Sequence, residues 1–258
     1  PAGSLAPYNG PLVRHDFNPV PILRGFMIQA ILFDFNGVII NDEPLQMKAY
    51  QEVLRAEGIT LSEKEYYDSL GMDDQTFVRA AFERARKSLK EEIMRAVIER
   101  KTELHRELIE GELPLFPGVV TFIKAASRRY QLGLVSMARR VEIAHVLERA
   151  RLDSTFTVIV SAEDAHTCKP DPCCYQRALE LLNEKRRVER RLPLLPEECL
   201  VVEDAPPGIE AGRAAGMRTL GVTNTVSEEA LRAAGAEVVT ASLADWTTDA
   251  IHHVFSEG

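Results

Sequence analysis

The stretch Ile31-Leu32-Phe33-Asp34-Phe35-Asn36-Gly37-Val38-Ile39 decides how this chain folds. The apolar run from Ile28 to Phe33 predicts a short buried strand that ends at Asp34. Gly37 then allows the chain to turn sharply. In an open α/β sheet, ligands bind beyond the carboxyl ends of the strands, near the point where the strand order reverses. We therefore expect Asp34 to project into a ligand site from a rigid strand.

Further short apolar runs predict the remaining strands of the sheet. These runs lie at 133–135, 158–160, 200–202 and 218–222, with a weaker one at 237–240. Apolar residues at helical spacing lie between them, at 119–130, 140–150, 175–183 and 209–215. Alternation of strands and helices predicts an α/β fold with a parallel sheet, a Rossmann-like three-layer sandwich with helices on both faces.

Residues 44–110 interrupt this alternation with helical patterns alone. Four helices are predicted there, at 44–57, 62–70, 74–87 and 89–109. The last is rich in Glu, Lys and Arg, so we expect it to present a solvated face. The pattern predicts an all-helical cap domain inserted after the first strand, joined by hinges near 38–43 and 111–117. The predicted division is an N-terminal arm or extension at 1–27, an α/β core at 28–40 and 115–258, and a cap at 41–114.

Composition limits the partners of the chain. The 258 residues are 45% hydrophobic and carry a net charge of −8, which argues against nucleic acid or an anionic membrane as the main partner. No apolar run is long enough for a transmembrane helix, and residues 1–27 lack the apolar core of a signal peptide. We expect a cytoplasmic protein that is a monomer or weak dimer.

Polar residues follow four of the predicted strands. They are Asp34, Ser136, Lys169 and the pair Glu203-Asp204. Any one of them alone would be explained as a turn former or helix cap, and Ser136 alone as the N-cap of the helix at 140–150. An acid, a hydroxyl, a cation and an acid pair at one edge of a parallel sheet together predict a functional site.

These residue types suit phosphoryl transfer. The Asp34 carboxylate can attack phosphorus and form an aspartyl-phosphate, while Mg²⁺ offsets the repulsion between two anions. Asp34 and Asp204 can supply carboxylate ligands to the metal, and Asn36 its main-chain carbonyl. Glu203 can hold a metal-bound water. Lys169 and Ser136 can bind phosphoryl oxygens, together with N–H groups at a helix start.

The sequence resembles the haloacid dehalogenase-like superfamily over residues 28–240. Four stretches carry the resemblance: Asp34-Phe-Asn-Gly-Val, Val135-Ser136, Lys169-Pro-Asp-Pro and Val202-Glu-Asp-Ala-Pro-Pro-Gly-Ile-Glu-Ala-Gly-Arg-Ala-Ala-Gly-Met217. The likeness is strongest to phosphatases and β-phosphoglucomutases with a helical cap after the first motif. It implies a Mg²⁺-dependent hydrolase or mutase that acts on a small phosphorylated metabolite, with a cap that opens and closes over it. It also implies that Gly71, Met72 and Asp73 form a substrate-facing cap loop.

Asn36 departs from the superfamily pattern, in which a second Asp protonates the leaving group and then activates water. An amide can do neither, because it does not titrate near neutral pH. A carboxylate at this position is therefore expected to raise turnover by about tenfold or more.

Three interpretations of Asn36 stay open. In the first, another acid such as His166, a water or a good leaving group replaces the general acid and base. In the second, the chain is an engineered Asp-to-Asn trap. Otherwise the protein has left phosphatase chemistry, either as an inert phosphate-ligand-binding pseudo-enzyme or as a dehalogenase. The retained pair Glu203-Asp204 argues against a dehalogenase, since that chemistry does not need the metal.

Overall fold

The computed structural model describes residues 27–256 and contains one six-stranded parallel sheet in the order β3-β2-β1-β4-β5-β6. The strands are β1 (Ala30–Phe33), β2 (Gln131–Val135), β3 (Val158–Val160), β4 (Cys199–Glu203), β5 (Arg218–Val222) and β6 (Val238–Thr240). The predicted parallel sheet is confirmed. The predicted arm at 1–27 lies outside the described residues apart from Met27.

Ten α-helices accompany the strands within residues 27–256. They are α1 (Glu43–Ala56), α2 (Glu63–Tyr67), α3 (Asp74–Arg84), α4 (Glu91–Ile109), α5 (Val119–Ala126), α6 (Arg140–Ala150), α7 (Cys173–Val188), α8 (Pro206–Ala214), α9 (Glu228–Ala233) and α10 (Thr248–Ser256). None of these helices is long and apolar enough to cross a membrane.

The sheet buries a different set of side chains on each face, because successive residues of a strand point to opposite sides. Ile31 and Phe33 pack in the cluster covered by α5, α6 and α10. Ala30 and Leu32 pack in the cluster covered by α7 and α8. Two helical layers therefore enclose a central sheet, and the predicted three-layer sandwich is confirmed.

Four elements differ from the sequence-based expectation. The helix predicted at 175–183 extends from Cys173 to Val188 as α7, and the helix predicted at 119–130 ends at Ala126. Helices α9 and α10 were not predicted, since α9 has only six residues and buries only Leu231. In α10, Ile251 and Phe255 lie one helical turn apart and pack into the core.

Helices α1–α4, called the helical block below, bury a cluster of their own. Its members include Tyr50, Leu54, Phe77, Phe82 and Met94. The charged helix α4 contributes Val97 and Leu104 to this cluster, and it also turns Lys101 and His105 inward.

The expectation that α4 presents only a solvated charged face is therefore wrong for two residues. Lys101 and His105 are 2% and 1% exposed. They lie four residues apart, on the same face as the apolar side chains of the helix.

The two chain crossings between the sheet and the helical block run side by side. Ile40 and Leu115 form an antiparallel bridge. The Asn41 N–H donates to the Pro114 carbonyl over 2.6 Å, and the Phe116 N–H donates to the Ile39 carbonyl over 3.1 Å. The entry and exit of the block are thus tied together directly beyond the carboxyl end of β1.

Candidate active site

The turn after β1 brings the first motif against the end of β4. Gly37 has a φ of +73°, and a Cβ atom there would lie 1.9 Å from Asp204 Oδ2. Only glycine fits this position, since both the backbone conformation and the space exclude a side chain. The N–H groups of Ile39 and Ile40 close the turn on the Phe35 carbonyl, over 2.8 and 3.2 Å.

Lys169 joins the carboxyl ends of three neighbouring strands. Its ammonium donates to Asp34 Oδ1 over 2.8 Å, to Glu203 Oε1 over 2.6 Å and to the Val135 carbonyl over 3.3 Å. Burial opposes the charge of Lys169, but the two carboxylates outweigh burial and raise its pKa above the ordinary value. The buried ammonium therefore stays charged beside Asp34.

Three carboxylates crowd the same point. Oxygen atoms of Asp34, Glu203 and Asp204 all lie within 4.8 Å of one another. Burial, reinforced by the charge of Glu203, raises the pKa of Asp34 to about 7 despite the nearby Lys169. Burial, and then Glu203 and Asp34, raise the pKa of Asp204 well above its usual range. The three carboxylates offer oxygen ligands, and the single charge of Lys169 does not balance their negative charge. Such a set fits a divalent cation that prefers oxygen ligands.

Glu203 is the most firmly held of the three. Its Oε1 accepts from the Tyr175 hydroxyl over 2.6 Å as well as from Lys169, and its Oε2 accepts from the Asp204 N–H over 3.3 Å. Asp34 and Asp204 have fewer partners, so their oxygens are more available to a ligand.

Ser136 lies at the end of β2, as predicted, and lines the same cavity. Its N–H donates to the Val160 carbonyl over 2.9 Å, and its hydroxyl accepts from the Ala138 N–H over 3.0 Å. Helix α6 begins only at Arg140, so Ser136 does not cap it. The hydroxyl is instead held in the tight turn where strand β2 leaves the sheet.

The amide at position 36 faces a buried carboxylate. Asn36 Nδ2 donates to Asp42 Oδ1 and Oδ2 over 3.0 and 2.9 Å, and Gln46 Nε2 donates to Asp42 Oδ2 over 3.1 Å. His105 Nε2 lies 2.8 Å from the same oxygen, and Asp42 is 0% exposed. The amide at position 36 supplies Asp42 with a donor, whereas an ionised carboxylate there would place a like charge beside it.

The helical block closes a cavity of about 100 Å³ over the strand ends. The lining from the strand ends includes Asp34, Asn36, Ser136, Lys169, Glu203 and Asp204. The lining from the helical block is Glu43, Gln46, Tyr50, Tyr66, Ser69, Leu70, Gly71, Met72, Asp74, Phe77 and Lys101. The structure thus brings the six predicted catalytic and metal-binding residues into one space, which it shares with side chains from α1–α4.

Lys101 links the helical block to the sheet. Its ammonium donates to Asp74 Oδ1 over 3.0 Å and to Glu142 Oε1, on α6, over 3.1 Å. The Tyr50 hydroxyl also donates to Asp74 Oδ1, and the Tyr50 ring lies under the ammonium at 5.0 Å. Burial alone would lower the pKa of Lys101, but Asp74 and Glu142 raise it.

The three predicted cap-loop residues have different surroundings. Gly71 and Met72 line the cavity. A Cβ atom on Gly71 would lie 2.9 Å from Pro207 Cβ and 3.3 Å from the Lys169 carbonyl, so this loop touches the core. Asp73 lies outside the cavity lining and caps α3, since its carboxylate accepts from the Thr76 N–H over 2.7 Å.

Sequence reasoning missed Glu43 and Lys101 as cavity residues. A signal existed for Lys101, because a lone lysine at helical spacing from Val97 and Leu104 interrupts an apolar face. No signal existed for Glu43, which the sequence places only in the first turn of a helix. His166, considered as a replacement base, is exposed and lies outside the cavity lining.

Comparison with known proteins agrees with this geometry. A family model for haloacid dehalogenase-like hydrolases matches residues 31–222. The "Phosphorylated carbohydrates phosphatase" of Thermotoga maritima is 30% identical over 212 residues, which cover 81% of this chain and 92% of that protein.

Two crystal structures share the fold. The β-phosphoglucomutase of Clostridium difficile is similar with a TM-score of 0.77 and 25% identity, covering 90% of this chain and 98% of that one. CbbY from Rhodobacter sphaeroides, in complex with phosphate, is similar with a TM-score of 0.70 and 27% identity, covering 85% and 96%. From the family match and these relatives, the chain belongs to the haloacid dehalogenase-like hydrolases as a phosphatase and phosphoglucomutase-like enzyme.

Proposed function

We propose that this enzyme is a Mg²⁺-dependent phosphatase that hydrolyses a small sugar or polyol phosphate through an aspartyl-phosphate on Asp34. The observation that carries the proposal is the Lys169 ammonium, which is shared between Asp34 and Glu203 at the point where the strand order reverses. A buried cation beside a carboxylate neutralises both the nucleophile and the approaching phosphoryl oxygens.

The residues divide the chemistry among them. Asp34 is the nucleophile, while Lys169, the Ser136 hydroxyl and N–H groups of the turn after β2 bind the phosphoryl oxygens. Asp34, Asp204 and the Asn36 carbonyl would hold Mg²⁺, with Glu203 orienting a bound water. The metal, when bound, lowers the repulsion between the phosphate and the three carboxylates.

The helical-block side of the cavity indicates the substrate class. Gln46 Oε1 and Asp74 Oδ2 are buried without a hydrogen-bond partner, and both residues line the cavity. Buried acceptors of this kind are normally satisfied by a donor. The hydroxyl groups of a sugar or polyol are such donors, which agrees with the carbohydrate phosphatase and phosphoglucomutase among the relatives.

Charge on the same side favours hydrolysis over the mutase reaction. A mutase must also bind its sugar phosphate with the phosphate at the far end of the cavity, where it needs a second cationic site. The only cation that the helical block contributes to the lining described is Lys101, and Asp74 and Glu142 already neutralise it. Water is therefore the acceptor of the phosphoryl group.

We further propose that residues 41–114 form a cap that moves about the paired crossings at 38–43 and 111–117. The block lies over the strand ends and supplies part of the cavity lining, so its movement would change how a substrate enters the site. The block has its own apolar cluster, which allows it to move as a unit.

The test is an assay of p-nitrophenyl phosphate and a panel of sugar phosphates with and without Mg²⁺. We expect metal-dependent release of inorganic phosphate, lost in Asp34→Asn and retained in Asp153→Asn, which changes an exposed Asp. Mass spectrometry of the quenched enzyme should find one phosphoryl group on Asp34. Activity that survives in Asp34→Asn would overturn the proposal.

A further inference from the structure

The cavity contains one carboxyl group that the proposed mechanism does not use, and it belongs to Glu43. Glu43 is the first residue of α1 and lies seven positions after Asn36. It is half-buried and lines the cavity together with Asp34 and Asn36. Resting on the proposed function, we infer that Glu43 is the general acid and base of this enzyme, in the role that the Asn36 amide cannot perform.

The other titratable groups of the lining are committed elsewhere. Lys169 bridges Asp34 and Glu203, and Lys101 bridges Asp74 and Glu142. Asp34, Glu203 and Asp204 form the carboxylate cluster described above.

The two tyrosines of the lining are also unsuited. Burial raises the pKa of both hydroxyls well above the ordinary value. The next largest cause is the charge of Asp74 for Tyr50 and the charge of Glu43 for Tyr66. Both stay protonated at neutral pH. Of the carboxyl groups that the described lining contains, Glu43 is the one free to exchange a proton.

The contacts of Glu43 leave it able to titrate. The Tyr66 hydroxyl donates to its Oε2, the one hydrogen bond to this carboxylate among residues 27–256. Burial, followed by the charge of Asp42, raises the pKa of Glu43 to about 7. Asp34 raises it further, while Tyr66 and Lys101 lower it. Tyr67 and Asp204 also lie within electrostatic range. A general acid works best with a pKa close to the working pH.

The substitution at position 36 and the environment of Glu43 are connected. The Asn36 amide, the Gln46 amide and His105 hold the Asp42 carboxylate in a buried position directly before Glu43. After burial, that carboxylate is the largest cause of the raised pKa of Glu43. The amide therefore helps to place the charge that prepares Glu43 for its role.

The proton balances over two steps. In the first, an Asp34 oxygen bonds to phosphorus, the bond from phosphorus to the leaving oxygen breaks, and that oxygen takes the proton of Glu43. In the second, water bonds to phosphorus, the bond to the Asp34 oxygen breaks, and Glu43 takes a proton from the water. Alcohol and inorganic phosphate leave, and Glu43 is protonated again.

The test compares Glu43→Gln with Glu52→Gln, which changes an exposed Glu on the same helix. Each variant is assayed on a sugar phosphate and on p-nitrophenyl phosphate. We expect Glu43→Gln to lower kcat on the sugar phosphate by about 10²–10⁴-fold. On the aryl ester the first step should persist, with a burst of one p-nitrophenol per enzyme and phosphoenzyme accumulation. The Glu52→Gln variant should match the wild type.

The pH profile supplies a second readout. At saturating Mg²⁺, which would hold Asp34 ionised, the wild-type kcat/KM on the sugar phosphate should fall as pH rises through about 7, where Glu43 loses its proton. This fall should be absent in Glu43→Gln. In Tyr66→Phe it should move to higher pH, because the donor that lowers the pKa of Glu43 is gone. Thermal unfolding of each variant checks that the fold is intact.

The outcomes separate the two proposals. If the wild type is active, Asp34→Asn is inactive and Glu43→Gln retains activity on sugar phosphates, the role of Glu43 is wrong while the phosphatase assignment stands. The role of Glu43 would also be wrong if Glu43→Gln lowered kcat equally on the sugar phosphate and the aryl ester and no phosphoenzyme accumulated. That result would indicate a structural role. If Asp34→Asn has the activity of the wild type, the phosphatase mechanism itself is wrong.

Discussion

The Asn36 amide donates to both carboxylate oxygens of Asp42, over 3.0 and 2.9 Å, and Asp42 is completely buried. An amide and a carboxylate thus form a pair directly beside the proposed nucleophile. Hydrogen bonds to a charged acceptor are among the stronger kinds in proteins. The substitution at position 36 is therefore part of an arrangement that includes Asp42, Gln46 and His105.

The first prediction concerns this pair. Asn36→Asp should lower the free energy of unfolding by about 2–3 kcal/mol at neutral pH, because a buried carboxylate loses its donor and meets a like charge. One carboxyl of the new pair should have a raised pKa in the folded state. The variant should therefore keep its free energy of unfolding at low pH, where that carboxyl is protonated, and lose part of it as pH rises through the raised pKa. Denaturant unfolding across the pH range measures it.

The matched control is the double variant Asn36→Asp with Asp42→Asn, which exchanges the two groups. The double variant should recover most of the stability that Asn36→Asp loses at neutral pH. If the two substitutions acted independently, their losses of unfolding free energy would add. The sequence-based expectation that a carboxylate at position 36 raises turnover stays a prediction. The double variant tests it, because there the new carboxylate faces an amide and not a second carboxylate.

The second prediction concerns Lys101. Lys101→Met leaves Asp74 and Glu142 buried without their cation, and should cost about 3–5 kcal/mol of unfolding free energy. The loss should grow as pH rises, because both carboxyl groups then ionise without a partner. Arg100→Met is the control on the same helix, since its two ion pairs are exposed and screened by solvent, and its loss should be far smaller than that of Lys101→Met. Similar losses in both variants would contradict the buried linkage.

The strand-end residues could be predicted from sequence because their positions follow from local signals. Apolar runs mark where a strand ends, and the ends of parallel strands meet at one edge of the sheet. Asp34 and Glu203 come from segments far apart in the chain, yet that rule places them together. The register of β1 beside β4, with Phe33 opposite Val202, confirms it. Lys169 lies in the loop between β3 and α7, and the rule alone does not fix its position.

The helical-block side could not be predicted in the same way. Which face of α1 or α4 meets the sheet depends on packing between helices, and no strand fixes it. Glu43 had the pattern of a first-turn residue that stabilises a helix start. Its place in the cavity depends on how the crossings at Ile40 and Leu115 orient α1, which is a tertiary property.

The third prediction separates two neighbours in the cap loop. Met72 lines the cavity, so Met72→Ala should change the ratio of kcat/KM values between sugar phosphates of different size. Asp73 caps α3. Asp73→Ala should therefore cost about 1 kcal/mol of stability and leave that ratio unchanged. Kinetics on a substrate panel, with thermal unfolding of both variants, measure the difference. A changed ratio in Asp73→Ala would place its carboxylate on the substrate.

The last prediction concerns the metal. Asp204 is buried with a raised pKa in the metal-free protein, so its ionisation opposes folding. Without Mg²⁺, wild-type stability should fall as pH rises through that pKa. Asp204→Asn should reduce this fall, although Asp34 and Glu43 still contribute to it, and should be the more stable protein. With saturating Mg²⁺ the order should reverse, because bound metal stabilises the wild type by about 2.7 kcal/mol at a hundred times Kd.

Calorimetry should show Mg²⁺ affinity reduced at least about tenfold in Asp204→Asn, as expected for the loss of one ligand of a metal site. Glu210→Gln, an exposed change on α8, is the control and should bind Mg²⁺ like the wild type. The crossing of the two stability curves is the sharper readout, since general damage would lower the stability of Asp204→Asn with and without metal. Unchanged Mg²⁺ affinity in a folded Asp204→Asn variant would mean that the carboxylates of Asp34, Glu203 and Asp204 are not a metal site.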